Sequence, residues 1–203
     1  MDGIVTVWSL TARSFELEFA TRPDVNSSDK TDNALAPFID KLTQRNVSLG
    51  TSYMSNIHPN FAQHYGYWAT QTYDSNIMLG GRLIPHSVVQ DDDVGLPALI
   101  SNFRNITGGG AKTITVAANF THGSHVSNSV LPAWRDALFT TSFAKLLPVN
   151  SGWNEIRQDQ EKLNAWQEDL RATTPGAGTY MNEATWDNPH WKEDYFGPNY
   201  ESY

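Results

Sequence analysis

Residues 134–172 read WRDALFTTSFAKLLPVNSGWNEIRQDQEKLNAWQEDLRA, and they combine a strand with the clearest helix of the chain. The part before Pro148 is rich in β-branched and aromatic residues, which predicts a strand. From 153 to 172, apolar residues recur at helical spacing and charged residues fill the other side, which predicts an amphipathic helix. The apolar residues of this helix are Ile156, Leu163, Trp166 and Leu170.

The rest of the chain also alternates between strands and helices. The predicted strands are two within 3–19, then 47–57, 76–85, 112–120 and 179–184. The predicted helices are one at 32–46, with Thr31 or Asp32 as its cap, one from Ser87 or Asp91 to about Thr107, and one at 188–196 with Asn188 as its cap. Because strands outnumber helices, the sequence predicts an α+β fold, with one antiparallel sheet and helices packed on one face of it. No linker divides the chain.

Composition excludes several classes of function. The formal net charge of −8 repels phosphate groups, so neither nucleic acid nor an anionic membrane is an expected partner. The absence of cysteine excludes disulfides, thiolate metal sites and cysteine nucleophiles. No apolar run is long enough for a membrane-spanning helix. His122 and His125 are closely spaced, but no third ligand accompanies them, so no metal site is predicted.

Four N-glycosylation sequons suggest that a longer parent is secreted and glycosylated. They begin at Asn26, Asn46, Asn105 and Asn119. The chain begins with Met1-Asp2, without the basic start of a signal peptide, so its localisation is not predicted. The chain begins in a strand and ends just after an aromatic-rich segment, which suggests a part of a longer protein.

An ordered motif near the end of the chain points to a family. It comprises Gly178-Thr-Tyr180-Met-Asn182-Glu183, then Trp186, Pro189, Trp191, Tyr195-Phe196-Gly197 and Asn199-Tyr200. Two upstream segments accompany it, Gly81-Arg82-Leu83-Ile84-Pro85 and Asn128-Ser-Val-Leu-Pro132-Ala-Trp134-Arg135. Together they resemble the berberine-bridge-enzyme-like, FAD-linked oxidoreductases of the vanillyl-alcohol-oxidase type.

The resemblance runs from about residue 30 to the end and matches only the second half of that family's proteins. It implies that residues 1–177 form an α+β substrate-binding domain and that 178–203 are the family's C-terminal motif within the same domain. The resemblance also implies that the family's N-terminal FAD-binding domain lies outside the sequence of this chain. FAD is therefore expected in an intact parent, with a small-molecule substrate and a flavin-domain chain as expected partners.

The resemblance also implies roles for four residues. The sheet would form a roof over the flavin ring, with Tyr180 and Glu183 as catalytic residues and Glu183 as the base. Asn182 would contact the polar edge of the flavin, and Arg82 would bind an anionic or carbonyl group of the substrate. The structural alternatives are an exposed or salt-bridged Glu183 and a strand-end ion pair for Arg82.

Strand alternation creates a difficulty for this assignment. On a strand, Tyr180 and Asn182 lie on one face, and Met181 and Glu183 on the other. A twist or bulge at the end of the sheet would be needed to bring both pairs near one ring.

Three functions follow from the resemblance. The first is a domain of an FAD-linked oxidoreductase that oxidises a small organic substrate, such as a secondary metabolite, with O2 as electron acceptor. The second is a redox-silent family member that acts as a binding or cyclase-type domain. The third is a non-functional fragment. The chain alone is not expected to be redox-active.

Overall fold

The computed structural model describes residues 4–21, 29–49, 56–68, 76–118, 120 and 130–202. Although the sequence shows no dividing linker, the chain forms two compact units. The smaller contains Met1–Ile4 and Ala20–Tyr73, and the larger contains Val5–Phe19 and Asp74–Tyr203.

The smaller unit contributes two helices, α1 at Asp29–Gln44 and α2 at Phe61–Trp68. Two acidic residues, Asp29 and Asp32, lie in the first turn of α1, where the positive end of the helix dipole stabilises them. The predicted helix at 32–46 is thereby confirmed, with a start three residues earlier. Of the predicted strand at 47–57, residues 50–55 lie outside the described residues, and its described ends are not in a strand.

The larger unit is built on a five-stranded antiparallel sheet. Its strands are β1 at Ile4–Leu10, β2 at Phe15–Thr21, β3 at Ile77–Pro85, β4 at Lys112–Ala117 and β5 at Ala137–Leu146. They lie in the order β2-β1-β4-β5-β3, which makes β3 an edge strand. The β3–β5 register places Gly81 opposite Ser142 and Arg82 opposite Thr141.

Three helices pack on one face of this sheet. They are α3 at His86–Gln90, α4 at Gly95–Gly108 and α5 at Trp153–Thr173. The core between them and the sheet is formed by Ile84, Val88, Leu99, Ile106, Ala111, Phe139, Phe143, Leu163, Trp166 and Leu170. The predicted α+β class, with helices on one face of an antiparallel sheet, is confirmed.

The predicted helix from Ser87 or Asp91 proves to be two helices, with residues 91–94 between them. The Asp91 carboxylate accepts the backbone N–H groups of Val94 and Gly95, which are otherwise unpaired at the start of α4. These hydrogen bonds hold the pKa of Asp91 below its usual range. Of the two predicted starting positions, Ser87 lies one residue inside α3, and Asp91 is the C-cap residue of α3.

Near the end of the chain one predicted element is wrong and another is confirmed only in part. Residues 179–184 form no strand; the chain is extended to Tyr180 and then makes a 3-10 turn at Met181–Glu183. The predicted helix at 188–196 is helical only in its second half, as a π-helical turn at Lys192–Phe196, and a 3-10 turn at Gly197–Ser202 follows it.

We call the sheet surface opposite α3–α5 the open face. Phe143 lies in the core beneath the helices, so its neighbour Ser142 points to the open face, because successive strand residues alternate. Ile114 on β4 lies opposite Ser142 and is 37% exposed. A second, smaller core covers one end of this face; it comprises Leu83, Leu131 and Ala137, with Phe120, Ala133 and Trp134 packed against them.

Side chains and the C-terminal segment close the free edge of β3. The Gly81 N–H donates to Gln167 Oε1 at 3.1 Å, and Gln167 Nε2 donates to the Gly81 carbonyl at 2.8 Å. The Leu83 N–H donates to the Gly178 carbonyl at 2.8 Å. The amide of Gln167 thus takes the place of a peptide group of a neighbouring strand, which removes an exposed sheet edge.

We expect Gln167→Leu to destabilise the protein by about 2 kcal/mol, because it leaves the buried Gly81 N–H without a partner. The Gly81 carbonyl keeps a second donor, Thr179 Oγ1, at 3.1 Å. Urea unfolding measures the free energy, and hydrogen exchange of the Gly81 amide locates the loss. Gln158→Leu, on the exposed side of the same helix, is the matched control. Equal effects of the two variants would contradict this role of Gln167.

Within the described residues, none of the helices has both the length and the apolar character needed to cross a membrane. The same part of the chain contains no group of three residues suited to hold a metal ion. His122 and His125 lie outside it.

Candidate active site

A carboxylate and a hydroxyl meet on the open face of the sheet. Ser142 Oγ, on the central part of β5, donates to Glu183 Oε2 at 2.5 Å. Ser142 is 4% exposed, whereas Glu183 is half-buried. The site therefore joins a rigid strand to a carboxylate that solvent can still reach.

Gly81 allows this close approach. A Cβ at position 81 would lie 2.8 Å from the Thr141 carbonyl oxygen and 3.2 Å from that of Glu183. A side chain here would therefore force a shift against the Thr141 carbonyl of β5 and a smaller shift of the Met181–Glu183 turn. Because Gly81 faces Ser142 across the two strands, the turn can rest on β3 while the Glu183 side chain reaches β5.

Aromatic rings border the site. The ring of Tyr180 packs edge-on against that of Trp134, with centroids 5.5 Å apart, and Trp134 packs edge-on against Phe120 at 5.0 Å. Asn182 Nδ2 donates to the Tyr180 hydroxyl at 2.9 Å. Tyr180 is half-buried and Asn182 is exposed, so both present polar atoms near the turn that carries Glu183.

The 3-10 turn removes the difficulty raised by strand alternation. The Glu183 N–H donates to the Tyr180 carbonyl at 3.0 Å, which closes the turn. Residues three positions apart lie on the same side of such a turn. Tyr180 and Glu183 therefore lie on the same side of the turn, and not on opposite faces as they would in a strand.

Arg82 lies apart from these residues, on the helix side of the sheet. Its Nη1 is 2.6 Å from Asp194 Oδ1, its Nε donates to Thr174 Oγ1 at 2.9 Å, and its Nη2 donates to the Thr174 and Ala177 carbonyls at 3.1 Å each. Arg82 is 1% exposed. These contacts match the ion-pair alternative for Arg82, and the structure does not bring it together with Glu183.

Asp194 ties the C-terminal segment to the body of the unit. Besides Arg82, its carboxylate accepts from Asn188 Nδ2 at 2.9 Å, and its backbone carbonyl accepts the Thr179 N–H at 2.8 Å. Arg171 Nε lies 3.4 Å from Asp194 Oδ1. We call Arg82, Asn188 and Asp194 the buried clasp. It holds both ends of the segment that carries Tyr180, Asn182 and Glu183.

Charged side chains also mark the far end of the open face. Lys112 Nζ lies 3.1 Å from Glu16 Oε2, and Ser9 Oγ donates to the same oxygen at 2.9 Å. Hydrogen bonds from Lys112 and Ser9 hold the pKa of Glu16 below its usual range. Partial burial raises the pKa of Glu18, and the nearby Glu16 adds to this effect.

Sequence reasoning missed Ser142, Gln167 and Asp194. Ser142 lies in the polar run Thr140-Thr141-Ser142, where nothing in the sequence distinguishes the residue that faces the open side. The glycine pair at 80–81 does carry a signal, since glycine inside a strand indicates a bulge or a close approach by another group. The structure shows a close approach by the chain itself, at the Glu183 carbonyl.

Comparison with known proteins places this arrangement in a family context. No family model matches the chain. By sequence, it is 27% identical over 213 residues to the FAD-linked oxidoreductase patO of Aspergillus clavatus. The aligned region covers 98% of this chain and 35% of the relative. It is 28% identical over 174 residues to the FAD-linked oxidoreductase ZEB1 of Gibberella zeae, covering 82% of this chain and 29% of the relative.

Solved structures share the fold. A VAO-type flavoprotein of Myceliophthora thermophila matches 98% of this chain and 36% of its own, with a TM-score of 0.81 at 22% identity. The berberine-bridge-enzyme-like protein 1 of Physcomitrella patens matches 97% of this chain and 42% of its own, with a TM-score of 0.55 at 14% identity.

The chain spans about a third of the length of the curated relatives it matches, 35% of the Aspergillus clavatus protein. At these identities, the solved structures show the shared fold, while the named sequence relatives are FAD-linked oxidoreductases. The sequence similarity to FAD-linked oxidoreductases confirms that part of the resemblance, and the fold is shared with solved VAO-type and berberine-bridge-enzyme-like structures.

Proposed function

We propose that the chain is the substrate-binding part of an FAD-linked oxidoreductase and that Glu183 is the base that accepts the substrate proton. The observation that carries this proposal is the Ser142–Glu183 contact of 2.5 Å, which holds a carboxylate on the sheet face opposite α3, α4 and α5. A carboxylate held there has a free oxygen to receive a proton from a bound alcohol or amine.

The open face has the chemistry to lie against a flat ring with polar edges. Its surface includes the aliphatic side chains of Val7, Ile114 and Val116, which are exposed or half-buried. The amide of Asn182 and the hydroxyl of Tyr180 offer polar groups beside it. We propose that Asn182 contacts the polar edge of the flavin and that Tyr180 contacts substrate.

The proton and electron balance of the proposed reaction is that of an alcohol or amine oxidation. FAD, when bound, supplies the acceptor for a hydride from the substrate carbon. Glu183 takes the proton of the substrate O–H or N–H, so a carbonyl or imine forms. O2 is the proposed final electron acceptor, with hydrogen peroxide as its product.

Arg82 has no part in substrate binding in this proposal. Its guanidinium is enclosed by Asp194, Thr174 and Ala177 and is 1% exposed. Its role is to anchor the segment that bears Glu183. Residues 1–177 and 178–203 are proposed to act together as one substrate-binding domain.

Flavin absorbance tests the proposal in two steps. First, the purified chain is incubated with FAD and desalted, and we expect it to be colourless. Second, the chain replaces the matching third of the Aspergillus clavatus relative; we call this protein the flavin-loaded fusion and expect it to retain the flavin band.

The flavin-loaded fusion is then mixed without oxygen with a panel of benzylic alcohols, allylic alcohols and secondary amines. At least one of them should bleach the flavin band, and oxygen should restore it. A fusion that holds FAD but is bleached by none of these compounds would favour the redox-silent binding or cyclase-type alternative. A band retained by the chain alone would contradict the assignment of FAD binding to another region.

A further inference from the structure

We propose that Ser142 is a positioning residue that holds the Glu183 carboxylate in a single orientation, with Oε2 bound to the strand and Oε1 directed to substrate. This inference rests on the proposed function of Glu183 as the base. It assigns to a residue of β5 a role in the reaction, although Ser142 itself does not contact the reacting atoms.

The hydrogen bond between Ser142 and Glu183 is short enough to fix the orientation of the Glu183 carboxylate. A glutamate side chain has three rotatable bonds, and fixing them costs up to about 2 kcal/mol of conformational entropy. The 2.5 Å hydrogen bond from Ser142 supplies a fixed partner for one oxygen before substrate binds. Charge-assisted hydrogen bonds of this kind are short and about twice as strong as neutral ones.

The donor is rigid because of its place in the sheet. Ser142 is 4% exposed and pairs with both neighbouring strands, opposite Gly81 on β3 and opposite Ile114 on β4. Its hydroxyl therefore cannot follow a displaced carboxylate over any distance.

The contact is not needed to hold the segment in place. Gly178 accepts the Leu83 N–H, Thr179 Oγ1 donates to the Gly81 carbonyl, and the Thr179 N–H donates to Asp194. These bonds fasten the segment just before the Met181–Glu183 turn. Removing the Ser142 hydroxyl should therefore change the orientation of Glu183 and leave the fold intact.

The first measurement uses the complete chain and needs no cofactor. In protein labelled with ¹³C-glutamate, the Glu183 carboxyl resonance is assigned as the one lost in Glu183→Gln. We expect this resonance to shift in Ser142→Ala, to return close to its original position in Ser142→Thr, and to stay unchanged in Ser101→Ala, a variant of an exposed serine on α4. An unshifted resonance in Ser142→Ala would overturn the inference.

The second measurement uses the flavin-loaded fusion and the compound of the panel that bleaches it fastest. Ser142→Ala should lower the limiting rate of flavin reduction about tenfold to a hundredfold, the range that misplacement of a reacting group produces. The substrate concentration that gives half of this rate should change less than twofold, and Ser142→Thr should recover most of the rate. A purely structural role would instead lower the unfolding midpoint and the flavin content.

Comparison with Glu183→Gln separates the two proposals. If Glu183→Gln is slow and Ser142→Ala is as fast as the parent, Glu183 is the base and the inference about Ser142 is wrong. If Glu183→Gln is as fast as the parent, the proposed function of Glu183 fails first. If both are slow, Ser142→Ala should have no further effect in the Glu183→Gln background, because the two act through one proton acceptor. Independent, multiplying effects would overturn the inference.

Discussion

Glu183→Gln should lower the limiting rate of flavin reduction in the flavin-loaded fusion by at least about a hundredfold, the usual contribution of a general base. The glutamine amide oxygen can still accept the Ser142 hydroxyl, so the substitution keeps the contact on the open face. It removes the charge and the ability to take a proton. Stopped-flow recording of the flavin band without oxygen measures the rate directly.

The control for this variant is Glu161→Gln, which neutralises an exposed glutamate on α5 with a side-chain exposure of 69%. It should leave the rate of flavin reduction unchanged. Flavin content and the unfolding midpoint should match the parent in both variants. A Glu183→Gln protein within twofold of the parent rate would remove Glu183 from the mechanism.

Asp194→Asn should reduce the free energy of unfolding by about 3–5 kcal/mol, the cost of leaving one member of a buried ion pair without its partner. Asp194 and Arg82 have side-chain exposures of 1% and 2%. Without the carboxylate, the Arg82 guanidinium stays buried and loses its only hydrogen-bonded counter-charge within the described residues. Urea unfolding followed by tryptophan fluorescence gives the free energy.

The neighbouring residue provides a matched control. Glu193 also pairs with an arginine, Arg171, but its side chain is 65% exposed. Glu193→Gln should therefore cost no more than about 1 kcal/mol, as exposed ion pairs do. If both variants destabilised the protein equally, burial of the clasp would not be what makes Asp194 important.

The elements that could be predicted are those whose pattern is set within the element itself. Helix α5 was expected at 153–172 and is observed at Trp153–Thr173, because its apolar face alone specifies a helix on a sheet. The strand at 76–85 was equally evident from its apolar run. The motif at the end of the chain was sufficient to identify the family resemblance.

The turn at Met181–Glu183 could not be predicted, because its cause lies elsewhere in the chain. A sixth strand beside β3 would need the Gly81 N–H and carbonyl, and Gln167 already binds both. The segment therefore leaves the edge after the Leu83–Gly178 hydrogen bond and turns onto the open face. The alternation of residues 179–184 predicts a strand, because it does not depend on whether Gln167 already binds the Gly81 N–H and carbonyl.

The partners of Arg82 could not be predicted either, because they also lie far from it in the sequence. Asp194 follows Arg82 by 112 residues and faces inward from a π-helical turn. The apolar residues around it have no helical periodicity that would predict this turn. The sequence left an ion pair and a substrate contact equally open for Arg82, and only the three-dimensional arrangement supplies the carboxylate.

The closure of the β3 edge has a consequence for how the protein is made. Gly81 leaves the ribosome 86 residues before Gln167, and Arg82 leaves it 112 residues before Asp194. At ordinary rates of translation this delay is on the order of ten seconds. During that interval β3 can pair with β5, but the Gly81 edge lacks Gln167 and Arg82 lacks Asp194. The Ser142–Glu183 hydrogen bond can form only after Glu183 has been synthesised, later than Gln167.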